Sequence, residues 1–228
     1  MDAFSPHGRW FFVSMAAVLL VIVAGGFARS FYLRNIFSAG HPSSVTLPFY
    51  IVLHGIVLTL WFLFFFAQAV LASCGHVGTH RRLGVAGAVL AAIVVPLSLL
   101  VVFRSVMRET ALVVIGDIAL LILFTTLISL GIWFRQRPEV HKRLMTIASI
   151  TIVAPAIARW PGAQSMLPLS VVLPQLSLYA AQVVYDVRSL RRVHSATVWG
   201  VASYFVALAV TIPLASSNLG HSLVNALK

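Results

Sequence analysis

Seven long apolar runs, separated by short segments that carry the charges, constrain this chain more than any other feature of its sequence. The runs cover residues 10–28, 48–73, 83–103, 111–134, 141–160, 167–186 and 196–216. A helix of about 20 apolar residues crosses the roughly 30 Å hydrocarbon layer of a bilayer. Lipid satisfies no backbone hydrogen bonds, and the runs do not alternate as barrel strands do. The sequence therefore predicts an all-α, polytopic transmembrane bundle of about seven helices, forming one domain over residues 1–228.

The composition supports lipid rather than water as the surrounding medium. Hydrophobic residues make up 60% of the chain and charged residues 9%, whereas a soluble domain carries about 25% charged residues. The net charge of +11 is divided among the segments between the runs, so it forms no basic patch of the kind that binds nucleic acid. The predicted partner is the bilayer, and a second membrane protein or a second copy of the chain is a further candidate.

The distribution of Lys and Arg predicts the orientation. The segments before runs 1, 3, 5 and 7 hold ten of the sixteen Lys and Arg residues, namely Arg9, Arg81, Arg82, Arg135, Arg137, Lys142, Arg143, Arg188, Arg191 and Arg192. Such an excess marks the cytoplasmic side of a membrane. We therefore predict a cytoplasmic amino terminus and an outside carboxyl terminus.

Polar side chains inside the runs predict a pocket in the outer half of the bundle. His54, Trp61 and Gln68 follow one another at seven-residue steps, which places them on one helix face. Asp117 lies at a depth similar to that of His54, and Arg159 ends the fifth run. Ionisable groups inside a membrane are costly unless paired. We predict an intramembrane polar pocket of His54, Asp117, Arg159 and Gln68, and the alternative is that these groups only fix helix packing.

Histidines next to basic residues recur at the starts of the odd-numbered runs. His80 precedes Arg81-Arg82, His141 precedes Lys142-Arg143, and His194 follows Arg191-Arg192. Together with His54, these imidazoles are candidate ligands for haem b or a metal ion. The adjacent cations disfavour a bare divalent ion. The alternative is an interfacial anchor that contacts lipid headgroups.

A polar stripe in the sixth run predicts either a path through the bundle or an inward-facing packing surface. Gln175, Tyr179, Gln182 and Asp186 are separated by steps of four, three and four residues, so they share one helix face.

Several of these segments resemble a family of uncharacterised bacterial multi-pass inner-membrane proteins. The resemblance extends over about residues 48–200 and rests on the stripe of His54, Trp61 and Gln68 and on four short segments. Those segments are His80 to Gly84 (HRRLG), Pro138 to Met145 (PEVHKRLM), Ala158-Arg159-Trp160, and Tyr185-Asp186 to His194 with the following ATVWG. The resemblance implies a bacterial inner-membrane location and transfers no reaction.

A looser similarity is to b-type membrane cytochromes, in which histidines of transmembrane helices bind haem. That similarity implies an electron-transfer role, with His54, His80, His141 and His194 as the ligands and His41 and His221 as further loop candidates. The hypothesis from the sequence is thus a haem- or metal-binding redox protein. The alternatives are a proton-coupled transporter that uses Asp117 and His54, and a non-catalytic assembly subunit. The sequence assigns no catalytic residue.

Overall fold

A computed structural model describes residues 6–37, 46–167 and 169–227, so the candidate His41 lies outside the described residues. The described chain is mostly helical and contains no strand. Its α-helices are α1 Pro6–Phe27, α2 Arg34–Phe37, α3 Phe49–Ser73, α4 Val77–Ser105, α5 Ala111–Trp133, α6 Pro138–Thr151, α7 Ala154–Ile157, α8 Leu169–Leu190, α9 Ser195–Ser216 and α10 Asn218–Ala226. A π-helical segment, Ala28–Tyr32, extends α1, and a 3₁₀ turn, Ala163–Met166, precedes α8.

Five helices of the described chain are long and apolar enough to cross a membrane. They are α1 with its π-helical extension, α3, α4, α5 and α9. This length and composition is consistent with an integral membrane protein and confirms the helical character of the predicted runs. The predicted runs 141–160 and 167–186 form α6 with α7, and α8, which do not meet the same criterion. The count of seven spans and the orientation therefore stay predictions.

The long helices form antiparallel hairpins. Gly75, with φ of 82°, closes the turn after α3 in the left-handed conformation that glycine adopts without strain. Arg104 near the end of α4 lies over the Tyr50 ring near the start of α3, at 6.0 Å. Side chains from the end of α4 and the start of α5 share one cluster, which includes Val102 and Val114. As a result α3 and α5 run parallel, and we call the end where they finish the His80 end.

The helix α6 lies at the centre of the bundle. It packs against α1, α5, α8 and α9, and eight of its fourteen residues are buried. Three buried hydroxyls, those of Thr146, Ser149 and Thr151, each donate to the carbonyl four residues earlier. Because protein rather than lipid surrounds this helix, it can carry hydroxyls that a lipid-facing helix excludes.

Candidate functional site

Two histidines meet at the His80 end of the bundle. His80 lies in the first turns of α4, and its Nδ1 is 3.2 Å from the carbonyl oxygen of Gln68 in α3. His141 lies in the first turns of α6, and its Nδ1 is 2.7 Å from the carbonyl oxygen of Gly131 in α5. The two imidazole centroids are 6.2 Å apart, and the ring planes are inclined at 80°. Two of the four predicted ligand residues thus come together.

The hydrogen bonds determine what each ring can do. A carbonyl oxygen only accepts, so Nδ1 of both His80 and His141 carries the hydrogen. With the hydrogen on Nδ1, Nε2 is the ring atom whose lone pair could bind a metal. A metal-binding histidine usually donates its other N–H to a carbonyl or carboxylate in this way. The Nδ1 hydrogen bonds of both rings thus match the second contact that a metal-binding histidine usually makes.

The pair is built from a repeated unit. Each histidine begins a His-basic-Arg-Leu segment, HRRL at His80 and HKRL at His141. Each segment opens the second helix of a hairpin, and each histidine donates to a carbonyl near the end of the first helix. A side chain added at Gly131 would collide with Met145, so this glycine allows α6 to approach α5 closely. The same local sequence thus places both imidazoles by the same contact.

The rim of the pair is cationic. Arg81, Arg82, Arg135 and Arg137 are all exposed at this end. Within the described chain, no three His, Cys, Asp or Glu side chains meet in a group that could hold a metal ion. A bare divalent ion between His80 and His141 would meet uncompensated positive charge, whereas a group with carboxylates of its own would be attracted.

His194 has a different role from the other two histidines. Its Nδ1 accepts the backbone N–H of Ala196 at 3.1 Å, so His194 is the N-cap of α9. Desolvation and the nearby charges of Arg143 and Arg192 lower the pKa of His194 and favour the neutral ring. With the Nδ1 lone pair engaged, the hydrogen of the neutral ring is on Nε2. His194 therefore has no lone pair to offer a metal in this arrangement.

Asp186 and Arg143 form a buried ion pair beside this cap. Both side chains are 0% exposed, and Nη2 of Arg143 lies 2.6 Å from Oδ1 of Asp186. The other carboxylate oxygen accepts from the hydroxyl of Thr197 at 2.6 Å and from the backbone N–H of His194 at 3.1 Å. The pair joins α6, α8 and the start of α9.

Glu139 extends this ion pair towards the surface. It accepts from Lys142 and from Arg143. Burial by itself raises the pKa of Glu139, but the hydrogen bonds from these two cations outweigh it and hold the pKa below its usual value. The carboxylate is thus ionised at neutral pH, as an ion pair with two cations requires.

The predicted polar stripe faces the interior of the bundle. Gln175, Tyr179, Gln182 and Asp186 are all buried. Pro155 has no N–H for the carbonyl of Thr151, and the helix breaks there into α6 and α7. The amide of Gln175 donates to the carbonyls of Ile150 and Thr151 at 3.0 and 3.3 Å. Gln175 therefore satisfies carbonyls at a helix break, and a transport path along the stripe stays a prediction.

Two aromatic hydroxyls complete the same contact region. Tyr204 donates to the side-chain oxygen of Gln175 at 2.9 Å, which fixes the orientation of the amide. The hydroxyls of Tyr179 and Thr151 are 3.1 Å apart. In this part of the bundle, a polar side chain that faces inward has a protein partner.

The predicted outer pocket is only loosely assembled. Arg159 lies within electrostatic range of both His54 and Asp117. Its guanidinium donates to the carbonyl of Pro155 and lies over the Phe27 ring. Among the described residues, the ion pairs within 4.0 Å do not include Asp117. The pocket thus stays a prediction: His54 and Asp117 each lie within electrostatic range of Arg159, and no ion pair joins them among the described residues.

Among the described residues, most of the buried polar atoms without a hydrogen-bond partner lie on α3, and Oε1 of Gln182 on α8 is a further one. Nδ1 of His54, Nε1 of Trp61, and both amide atoms of Gln68 are buried without a hydrogen-bond partner in the described chain. Trp61 is 2% exposed and Gln68 is 9% exposed. Buried polar atoms nearly always have a partner, so each exception calls for a physical explanation such as a bound water or ligand.

The sequence interpretation missed the role of Arg143. It was grouped with the basic residues between runs, yet it is fully buried and paired with Asp186. The available signal was the spacing of Glu139 and Arg143, four residues apart on one helix, opposite an inward-facing acid.

Comparisons with protein families, with curated proteins and with solved structures found no match.

Proposed function

We propose that this chain is a haem b-binding electron-transfer protein of the bacterial inner membrane, with His80 and His141 as the axial ligands. The observation that supports it is the 6.2 Å separation of the two rings. With metal–nitrogen bonds of about 2.0–2.1 Å, imidazoles on opposite sides of one metal have centroids roughly 6.3 Å apart. The 80° inclination of the ring planes is compatible with this, because two imidazoles that hold one metal need not be parallel.

The charges at the rim favour haem over a bare ion. Haem b carries two propionate groups, which the exposed guanidinium groups of Arg81, Arg82, Arg135 and Arg137 would neutralise. When bound, haem supplies a one-electron carrier. The protein's part is to fix the two Nε2 atoms through the carbonyls of Gln68 and Gly131, and to shield the group from water.

We also propose that the bundle crosses the membrane seven times, with the His80 end in the cytoplasm. Arg143 at the start of α6 lies beside Phe12 of α1, and Ala156 of α7 lies against Gly26 near the other end of α1. The α6–α7 segment therefore extends along the same length as α1, and protein contacts shield its polar residues.

Reporter fusions test this topology. A phosphatase that is active only outside the cytoplasm should be active when fused after residue 106 or 217, and inactive when fused after residue 76, 136 or 193. The reverse pattern would invert the proposed orientation.

The haem proposal is tested by spectroscopy of the purified protein. Wild type expressed with ample haem should show a Soret band and, in the reduced-minus-oxidised difference spectrum, a sharp α band. His80→Ala and His141→Ala should each lose the α band of the six-coordinate haem. The matched control His194→Ala removes a capping histidine from the same end of the bundle and should retain it. Absence of both bands in wild type, or an unchanged spectrum in both ligand variants, would refute the proposal.

A further inference from the structure

Gln68 is a buried amide that no described residue satisfies. Its side chain is 9% exposed, and neither Oε1 nor Nε2 has a hydrogen-bond partner. Its backbone carbonyl, in contrast, accepts the N–H of His80. One residue thus holds a proposed ligand through its main chain and presents an unsatisfied donor and acceptor through its side chain.

The register of α3 and α5 places this side chain at the level of the histidine pair. The two helices run parallel, and the Trp61 and Phe124 rings meet edge to face at 5.4 Å. Seven residues further along each helix are Gln68 and Gly131, which lie on the same faces and about 10 Å nearer the His80 end. These are the two residues whose carbonyls hold His80 and His141.

The facing position on α5 contributes no side chain of its own. Gly131 has no side chain, and the space that a Cβ would occupy there is taken by Met145. Of this facing pair, Gln68 is therefore the residue that carries a polar side chain. An amide is neutral, so it can approach an anion, and its N–H groups are donors only.

We propose that Gln68 is a positioning residue of the His80–His141 site, whose side-chain N–H donates to a propionate of the bound haem. This inference rests on the proposed haem function and adds a third polar side chain to the site. It accounts for an amide kept in a buried position where an apolar residue would avoid the cost of desolvation.

The test uses three variants of the full-length protein in detergent. Gln68→Met keeps the length of the side chain and removes the donor, so haem should dissociate several-fold faster. Gln68→Glu puts a carboxylate beside the propionate, so affinity should fall by about tenfold and the midpoint potential should move downward. The control Trp61→Phe removes another unpartnered N–H of the same face, two helical turns away, and should change neither property.

The possible results separate the two proposals. If wild type binds no haem, both the function and the inference fail. If wild type binds haem and the Gln68 variants match Trp61→Phe in dissociation rate and potential, the inference alone is overturned. Loss of thermal stability in Gln68→Met, with dissociation rate and potential unchanged, would assign Gln68 to packing and overturn it as well.

Discussion

Two regions of the bundle differ in how fully their buried polar groups are hydrogen-bonded, although Oε1 of Gln182 lacks a partner among the described residues in the first. Where α6, α8 and α9 meet, the carboxylate of Asp186 has an ion pair and two further hydrogen bonds. The Gln175 amide is likewise held through both of its polar atoms. On α3, by contrast, the polar atoms of Trp61 and Gln68 have no partner among the described residues.

The contrast separates polar groups that build the fold from polar groups that are free to bind. A satisfied network contributes rigidity and leaves nothing for a ligand. An unsatisfied buried group weakens the fold unless something else binds it. Both regions read alike in the sequence, as polar residues at helical spacing, so only their contacts distinguish them.

The largest effect is expected at the buried ion pair. Arg143→Met leaves the Asp186 carboxylate without its cation, which should cost about 3–5 kcal/mol of stability. Thermal unfolding in detergent measures it. The control is Arg82→Met, at the equivalent exposed position of the repeated segment, where we expect a change within about 0.5 kcal/mol.

A double substitution shows whether the cost comes from the uncompensated charge. Arg143→Met with Asp186→Leu should recover much of the stability, because an apolar pair of similar volume replaces a buried ion pair at little cost. Equal melting temperatures for wild type and Arg143→Met would contradict the view that this region depends on its polar network.

The next effect is expected at the helix break. Gln175→Leu leaves the carbonyls of Ile150 and Thr151 without the side-chain donor, which should cost about 1–3 kcal/mol. Pro155→Ala restores a backbone N–H for Thr151. The penalty of Gln175→Leu should therefore be smaller in the Pro155→Ala background, and strictly additive effects in a double-mutant cycle would show that Gln175 does not repair the break.

The sequence predicts the apolar helices of this protein better than it predicts the polar helices or the sites. Hydropathy alone predicts the five apolar helices, because length and apolar composition are local properties. It does not settle α6 and α8, whose surroundings are protein and which therefore carry polar residues. The inward direction of Gln175, Tyr179, Gln182 and Asp186 follows from helical period and is confirmed.

The sites required contacts that no local pattern contains. The sequence gives His80, His141 and His194 the same basic neighbours, yet two rings meet and the third caps a helix. The difference arises because the first two begin helices that return along a hairpin partner. Helix packing decides which of these similar histidines come together, and a single sequence does not predict that packing.

A smaller effect is expected from pH at His194. Its pKa is lowered in the folded protein, so the unfolded chain binds the proton more tightly and stability falls as pH drops below about 6.5. Protonation also places a hydrogen on the atom that caps Ala196, a cap that contributes about 1 kcal/mol. His194→Asn keeps a capping oxygen without the titration. Its melting temperature should depend less on pH between about 7 and 5 than that of wild type, and an identical pH profile would contradict this role.

The smallest effect on stability is expected at Gln68 on α3, whose side-chain amide has no partner among the described residues. The sign of this effect tests the contrast with Gln175. Gln68→Met in haem-free protein replaces an unsatisfied amide with an apolar side chain of similar length. The free energy of unfolding should stay level or rise by up to about 1 kcal/mol, because the substitution removes the cost of desolvating the amide and breaks no side-chain hydrogen bond. Thermal unfolding of haem-free Gln68→Met and Gln175→Met, side by side, measures it. A loss at Gln175 with no loss at Gln68 would show that only the Gln175 amide stabilises the fold, whereas equal losses would show that both do.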